Sequence, residues 1–197
     1  MRRRDRIFKR GLDIAGSAAG LAVLWPVIAV SIVLARRDTK ASGLFAQTRI
    51  GQHGRPFTVY KLRTMRAVSG TSITTANDAR ITPLGAKFRR WKLDELPQLW
   101  NVLKGDMSFV GPRPDVPGYA DRLEGRDRKV LELKPGITGP ATLKYREEQD
   151  MLAAADDPVA FNDNVIWPDK VRINLAYLEN YRLSDDIKMI WRTVRGE

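Results

Sequence analysis

Two adjacent carboxylates, Asp94 and Glu95, sit among cations: Lys87, Arg89, Arg90 and Lys92 precede them and Arg113 follows. Opposite charge favours the ionised form, which equips the pair as a nucleophile or a metal ligand rather than a proton donor. Leu96, Leu99, Val102 and Leu103 follow at helical spacing, Pro97 is tolerated only in a first turn, and Gly105 after Lys104 is a stop. The pattern predicts a short helix beginning near Asp94, with both acids at its positive end. Simple helix capping would use the same residue types. Ser108 to Pro114, a turn with one glycine and two prolines around Arg113, offers backbone and guanidinium contacts to phosphate and favours the chemical reading.

The elements that must position this pair follow from the patterning on either side. Leu44 to Ile50 and Arg55 to Met65 read as strands joined by a Gly51 to Gly54 turn, with Phe57 and Val59 alternating against Thr58 and Tyr60. His53 falls in that turn and reads as a hairpin residue. Lys61 and Arg63 then project from one face, either solvated or neutralising phosphate oxygens. Ala67 to Arg80 is polar and aperiodic, a loop. Thr82-Pro83 opens a helix with Leu84, Phe88 and Trp91 on one stripe, and Trp91 suits a membrane interface or the core. Val116 to Leu133 has charged helical character, and Pro135 to Pro140 is a punctuated loop followed by Arg146. Met151 to Trp167 reads as a connection with a short helix, where Asp156 and Asp157 mark a solvated helix end. A helix runs from Pro168 through Tyr181, and Ser184 can cap a last one carrying Ile187, Met189, Ile190, Trp191 and Val194 with Lys188, Arg192 and Arg195. That mixture suits an anionic membrane surface or terminal docking.

The N-terminus is basic, with Arg2, Arg3, Arg4, Arg6, Lys9 and Arg10, before an apolar stretch from about Ile14 to Ala35 that meets Arg36 and Arg37. The stretch is too long for a signal-peptide core and long enough for a bilayer. Positive charge at both ends asks both to stay cytoplasmic, and Trp25-Pro26 lies at its middle. A helix that enters, bends at Trp25-Pro26 and returns satisfies both conditions; a kinked spanning helix is the alternative. The chain of 197 residues suits one domain, its formal net charge of +11 asks for an anionic partner, and the lack of cysteine excludes disulfides and thiolate metal sites.

The runs Leu93-Asp94-Glu95-Leu96-Pro97-Gln98-Leu99-Trp100-Asn101 and Gly105-Asp106-Met107-Ser108-Phe109-Val110-Gly111-Pro112-Arg113-Pro114 resemble the signature of the monotopic phosphoglycosyl transferases, the bacterial sugar transferases acting on undecaprenyl phosphate. Tyr60-Lys61-Leu62-Arg63-Thr64-Met65, Lys134-Pro135-Gly136-Ile137-Thr138-Gly139 and a segment from Tyr181 to Thr193 extend the resemblance over nearly the whole chain. Two departures stand out. Trp25 occupies the place of a serine before the bend proline, and Ala141-Thr142-Leu143-Lys144-Tyr145-Arg146 replaces a glutamine-containing segment while keeping the arginine.

The resemblance implies a mixed α/β fold, mostly helical with a small β-hairpin or sheet, and a re-entrant helix within residues 1–38 ahead of a cytoplasmic-face catalytic domain over residues 39–197. It implies transfer of sugar 1-phosphate from a UDP-sugar to polyprenyl phosphate with release of UMP, the first membrane step of glycoconjugate synthesis at the bacterial inner membrane. Asp94 would be the nucleophile and form a covalent phosphosugar ester. Glu95, with Asp94, would hold Mg2+; Lys61, Arg63, Arg89, Arg113 and Arg146 would bind phosphate or the uridine diphosphate portion. Membrane lipids are further partners, and homo-oligomerisation is left open. The competing reading is a noncatalytic, membrane-tethered basic module for nucleic acid or anionic lipid. The acids that interrupt the basic surface and the lack of an aromatic stacking array speak against nucleic acid.

Overall fold

The computed structural model describes residues 1–66 and 78–196, so most of the expected Ala67 to Arg80 loop lies outside the described residues. Helices dominate, and among the described residues the strands form one antiparallel and one parallel pair. Helix α1 (Arg3–Thr39) is followed by the hairpin of β1 (Leu44–Ile50) and β2 (Pro56–Leu62). Then come α2 (Pro83–Arg90), α3 (Gln98–Lys104) and β3 (Ser108–Val110). The second half carries β4 (Gly136–Thr138), α4 (Pro140–Lys144), α5 (Glu148–Ala153), α6 (Pro158–Phe161), α7 (Trp167–Glu179) and α8 (Leu183–Arg195).

Helix α1 is long and apolar enough to cross a membrane, with a mean hydropathy of 2.4 in its 18-residue window and only 11% of that window buried. Its buried residues form two stripes at i, i+4 spacing, Lys9-Asp13-Ser17 and Ser31-Ala35-Thr39, and nothing between them is buried. Both ends therefore dock on one body. At the first, Arg10 donates to the Val102 and Leu103 carbonyls at the end of α3, at 2.6 and 2.7 Å. Asp13 accepts from the Ser108 hydroxyl and the Phe109 N–H of β3, each at 3.0 Å. At the second, Ala35 and Ile32 pack with Leu62, Phe88, Leu84 and Leu93. Where the sequence predicts a bend, the helix runs on through Trp25 and Pro26.

The hairpin has the predicted turn and strands, the second ending at Leu62 rather than Met65, in full register from Leu44 opposite Leu62 to Ile50 opposite Pro56, and His53 takes a left-handed conformation in the turn (φ 60°). Asn101 of α3 locks onto its edge, accepting from the Tyr60 N–H at 3.1 Å and donating to the Thr58 carbonyl at 2.7 Å. Val59, Val102 and Met107 close the core beneath.

Several local expectations are corrected. Leu93–Glu95 is a 3-10 turn, and α3 starts only at Gln98. Lys92 enters in a left-handed conformation (φ 56°), and Pro97 has no N–H to extend helical bonding back to Leu93, so Leu96 donates to the Leu93 carbonyl instead, at 3.2 Å. The stop is as expected, Gly105 at φ 102°. Val116 to Leu133 holds only 3-10 segments at Ala120–Arg122 and Asp127–Glu132, because Gly118 and Gly125 take positive φ and interrupt the pattern. The Pro135 to Pro140 loop contains β4, parallel to β3 with Ser108 opposite Gly136 and Val110 opposite Thr138. The crossing admits no side chain at Gly111, where a Cβ would lie 2.1 Å from the Lys134 carbonyl oxygen. Ser184 does not cap α8, which starts one residue earlier at Leu183 without a side-chain cap. Thr82 does cap α2, accepting from the Gly85 N–H at 2.9 Å.

Candidate active site

The acidic turn is held between α2 and α3 by Leu93, which packs into the cluster of Leu62, Phe88 and α1's Ala35. Glu95 faces the hairpin. Its Oε1 lies 3.6 Å from Lys61 Nζ and 3.5 Å from Arg113 Nη1, with only 14% of the side chain exposed. Burial alone would push its carboxyl up; Lys61, Arg113 and Lys92 more than offset this, and the net shift is downward. Glu95 is thus held in its ionised form, as the cation-rich sequence predicts.

Asp94 is shifted the other way. Burial, with the neighbouring Glu95 charge, pushes its carboxyl up despite Lys61, Arg89 and Lys92. Its Oδ1 is buried with no hydrogen-bond partner among the described residues. Arg89 is its counterpart: the Nε donates to Thr64 Oγ1 at 3.0 Å, while Nη1 is buried and unpartnered, and Asp94 is the carboxylate that acts most on its charge. Buried polar atoms without partners carry a desolvation penalty of about 1–3 kcal/mol each, so a ligand that supplies partners gains it back.

Lys61 is half-buried beside these groups, and desolvation, then Arg113, lowers its ammonium to about 8 although Glu95 and Asp94 oppose the shift. The structure therefore brings together Lys61, Arg89, Asp94, Glu95 and Arg113. Arg63 points elsewhere, donating from Nε to the Ser42 carbonyl at 2.7 Å and lying over the Phe45 ring. Arg146 is exposed in the turn after α4, two residues before Glu148, whose charge acts on Arg113. Trp91 is 65% exposed, which removes it from the core. Asp157 caps α6, accepting from the Val159 and Ala160 N–H groups at 3.0 Å, so the Asp156-Asp157 pair marks a helix end as read from sequence.

Three contributors escaped the sequence reading. Arg49 shares the Lys61 face of the hairpin, donates to Gln47 Oε1 and the Pro114 carbonyl, and is lowered to about 10 by burial and then Arg113. Asp115 lies beyond, raised to about 6 by burial against the pull of Lys170 and Arg49. Asn101 fixes α3 to the strand that carries Lys61. Period-two alternation of Gln47 and Arg49 was the available signal for the first; nothing local marks the other two.

Among the described residues no group of three or more metal-binding side chains occurs. The carboxylate pair with its unpartnered Asp94 Oδ1 does fit magnesium, which binds through one or two carboxylates and completes its shell with water and substrate phosphate.

The model of the family described as bacterial sugar transferase matches residues 4–196. The chain belongs to the bacterial sugar transferase family. It is accordingly a transferase. A Bacillus subtilis protein provisionally named as an undecaprenyl-phosphate N-acetylgalactosaminyl 1-phosphate transferase is 41% identical over 136 residues, 62% of this chain and 76% of the relative. The exopolysaccharide production protein PSS of Rhizobium leguminosarum is 36% identical over 98% of this sugar transferase and 96% of its own length. The UDP-glucose:undecaprenyl-phosphate glucose-1-phosphate transferase of Escherichia coli is 33% identical over 96% of this chain, which spans 40% of that longer relative.

Proposed function

We propose that this sugar transferase moves a sugar 1-phosphate from a UDP-sugar to a polyprenyl phosphate, releasing UMP, through a phosphosugar ester on Asp94. The observation that carries this reading is the buried Asp94 Oδ1, left without a partner beside an ionised Glu95 and an equally unpartnered Arg89 Nη1. The relatives named for undecaprenyl-phosphate and UDP-sugar chemistry supply the substrate classes.

A pyrophosphate donor repels a carboxylate nucleophile, so its oxygens must be neutralised before attack. Arg113 and Lys61 face the turn from the hairpin side and Arg89 from α2, so a donor phosphate entering between them meets cations on both flanks and displaces the long Glu95 contacts. Asp94 then forms an O–P bond to the phosphorus nearer the sugar, and the bond to the UMP oxygen breaks. An oxygen of the polyprenyl phosphate attacks the same phosphorus, the aspartyl bond breaks, and the carboxylate is restored with polyprenyl diphosphate sugar as product. Mg2+ would be held by Glu95 and Asp94 and would supply charge neutralisation on phosphate oxygens. Arg146 is assigned to the outer part of the donor.

The same reading places residues 1–38 in the cytoplasmic leaflet of the inner membrane and residues 39–197 at its cytoplasmic face. Docking of both ends of α1 on one body supports a monotopic arrangement, because a straight crossing would separate stripes that the body holds together. The test is product analysis with magnesium and a panel of UDP-sugars, with and without polyprenyl phosphate. The reading expects one UDP-sugar to yield UMP, with lipid-linked product only when acceptor is present; release of UDP instead of UMP contradicts it.

A further inference from the structure

Outside the active site, the first turns of α1 present a shallow, open groove along one helix face, with about 610 Å³ of space over Arg3, Arg6, Ile7, Arg10, Gly11 and Ile14. Arg3 and Arg6 are exposed, and among the described residues neither forms an ion pair. Nothing packs over Gly11, where a Cβ would meet no atom within 4 Å. Arg10 serves two surfaces at once: it lines the groove and donates to the Val102 and Leu103 carbonyls. Lys134 stands beside it, since both would crowd a side chain at Gly105. Exposed Ile7, Phe8, Leu12 and Ile14 occupy the same turns as the arginines.

We infer that this groove is a binding site for an anionic glycerophospholipid, its phosphodiester between Arg3, Arg6 and Arg10 and an acyl chain along Ile7, Gly11 and Ile14. Cations and apolar side chains alternate here over about three helical turns, so the complementary ligand joins an anion and hydrocarbon in one molecule. A nucleic acid or acidic peptide would use the arginines and leave the isoleucines wet. The polyprenyl phosphate acceptor is excluded by position. Arg10 bonds the last carbonyls of α3 while Asp94 lies ahead of its first residue, so a phosphate held by Arg3, Arg6 and Arg10 sits a helix length, roughly 10 Å, from Asp94 and out of reach of its ester. Because Arg10 joins the groove to α3, lipid occupancy braces the helix that follows the acidic turn. The inference rests on the membrane reading above.

The test uses the full chain in flotation with phosphatidylcholine vesicles, with and without phosphatidylglycerol, and native mass spectrometry of lipid retained from detergent. Each cation near an anionic surface is worth about fivefold in partitioning, so Arg3→Gln/Arg6→Gln should lose roughly thirtyfold for phosphatidylglycerol vesicles and its retained phosphatidylglycerol. Arg36→Gln/Arg37→Gln, the same charge removed at the other end of α1, should keep the retained lipid. Equal losses in the two double variants, or equal wild-type binding to both vesicle types, overturn the site while leaving membrane association intact. Retention of polyprenyl phosphate that Arg3→Gln/Arg6→Gln abolishes overturns the assigned occupant. Wild-type protein that floats with neither vesicle overturns the membrane reading and the site together.

Discussion

Among the described residues, charge is buried near each end of α1 and treated oppositely. At the first, Asp186 of α8 accepts from Lys9, from Tyr177 and from the Tyr181 hydroxyl at 3.0 Å, and Asp13 nearby accepts two further bonds from β3. At the second, Glu95 has cations only at 3.5 and 3.6 Å, and Asp94 and Arg89 each keep a buried atom without a partner. A carboxylate with its hydrogen-bond capacity filled is committed to the fold. One held short of that is committed to whatever binds.

The contrast is sharpest when each acid is neutralised in place. Asp94→Asn should lower turnover by about 10⁴-fold, near 5 kcal/mol of transition-state stabilisation, in a protein that still folds. Asp186→Asn should instead cost about 3–5 kcal/mol of stability by leaving Lys9 buried without its counter-charge. Steady-state rates per folded molecule and urea unfolding separate the two, and exchanged phenotypes would break the comparison.

Within the acidic pair, stability should move in opposite directions. Burial raises Asp94, so the folded state loses stability as pH rises from 3.8 through the raised value, and Asp94→Asn should melt higher than wild type at neutral pH. Glu95 is lowered, so it contributes stability above 4.5 that is lost as pH falls through the depressed value, and Glu95→Gln should melt lower. Thermal melts at pH 7 and pH 4 check both signs.

Smaller effects lie at the edges. Lys61, at about 8, should lose its charge within the working range, giving a rate that declines above that pH and a decline shifted upward in Lys61→Arg, read from a pH–rate profile. Thr82→Ala removes the cap of α2 and should cost about 1 kcal/mol by denaturant titration, with little effect on rate.

Much of this arrangement was legible in the sequence. Alternation at Phe57 and Val59, the turn at Gly51 to Gly54, the Thr82-Pro83 start and the Gly105 stop are local signals, and each gave its element. Asp94, Glu95, Arg89 and Arg113 were legible as a charged site because cations lie near the acids in sequence, and Lys61 joined them through the family resemblance. Two kinds of information were not. Strand β4 is three residues long and exists only because β3 lies alongside, a nonlocal pairing that no period records. The fate of each charge depends on its partners in space: Arg63 alternates with Lys61 yet turns to Ser42 and Phe45, and Asp186 reads as a first-turn acid until Lys9 arrives from the other end of the chain. The upward shift of Asp94 escaped the sequence for the same reason, since burial is absent from a count of neighbouring cations.

The most direct test of the central claim is the intact mass of the purified protein after incubation with magnesium and a UDP-sugar, without lipid acceptor. The account predicts a mass increase equal to one sugar phosphate, absent from Asp94→Asn and discharged when polyprenyl phosphate is added. Turnover with both substrates but no such adduct, or an adduct that Asp94→Asn still forms, would contradict it.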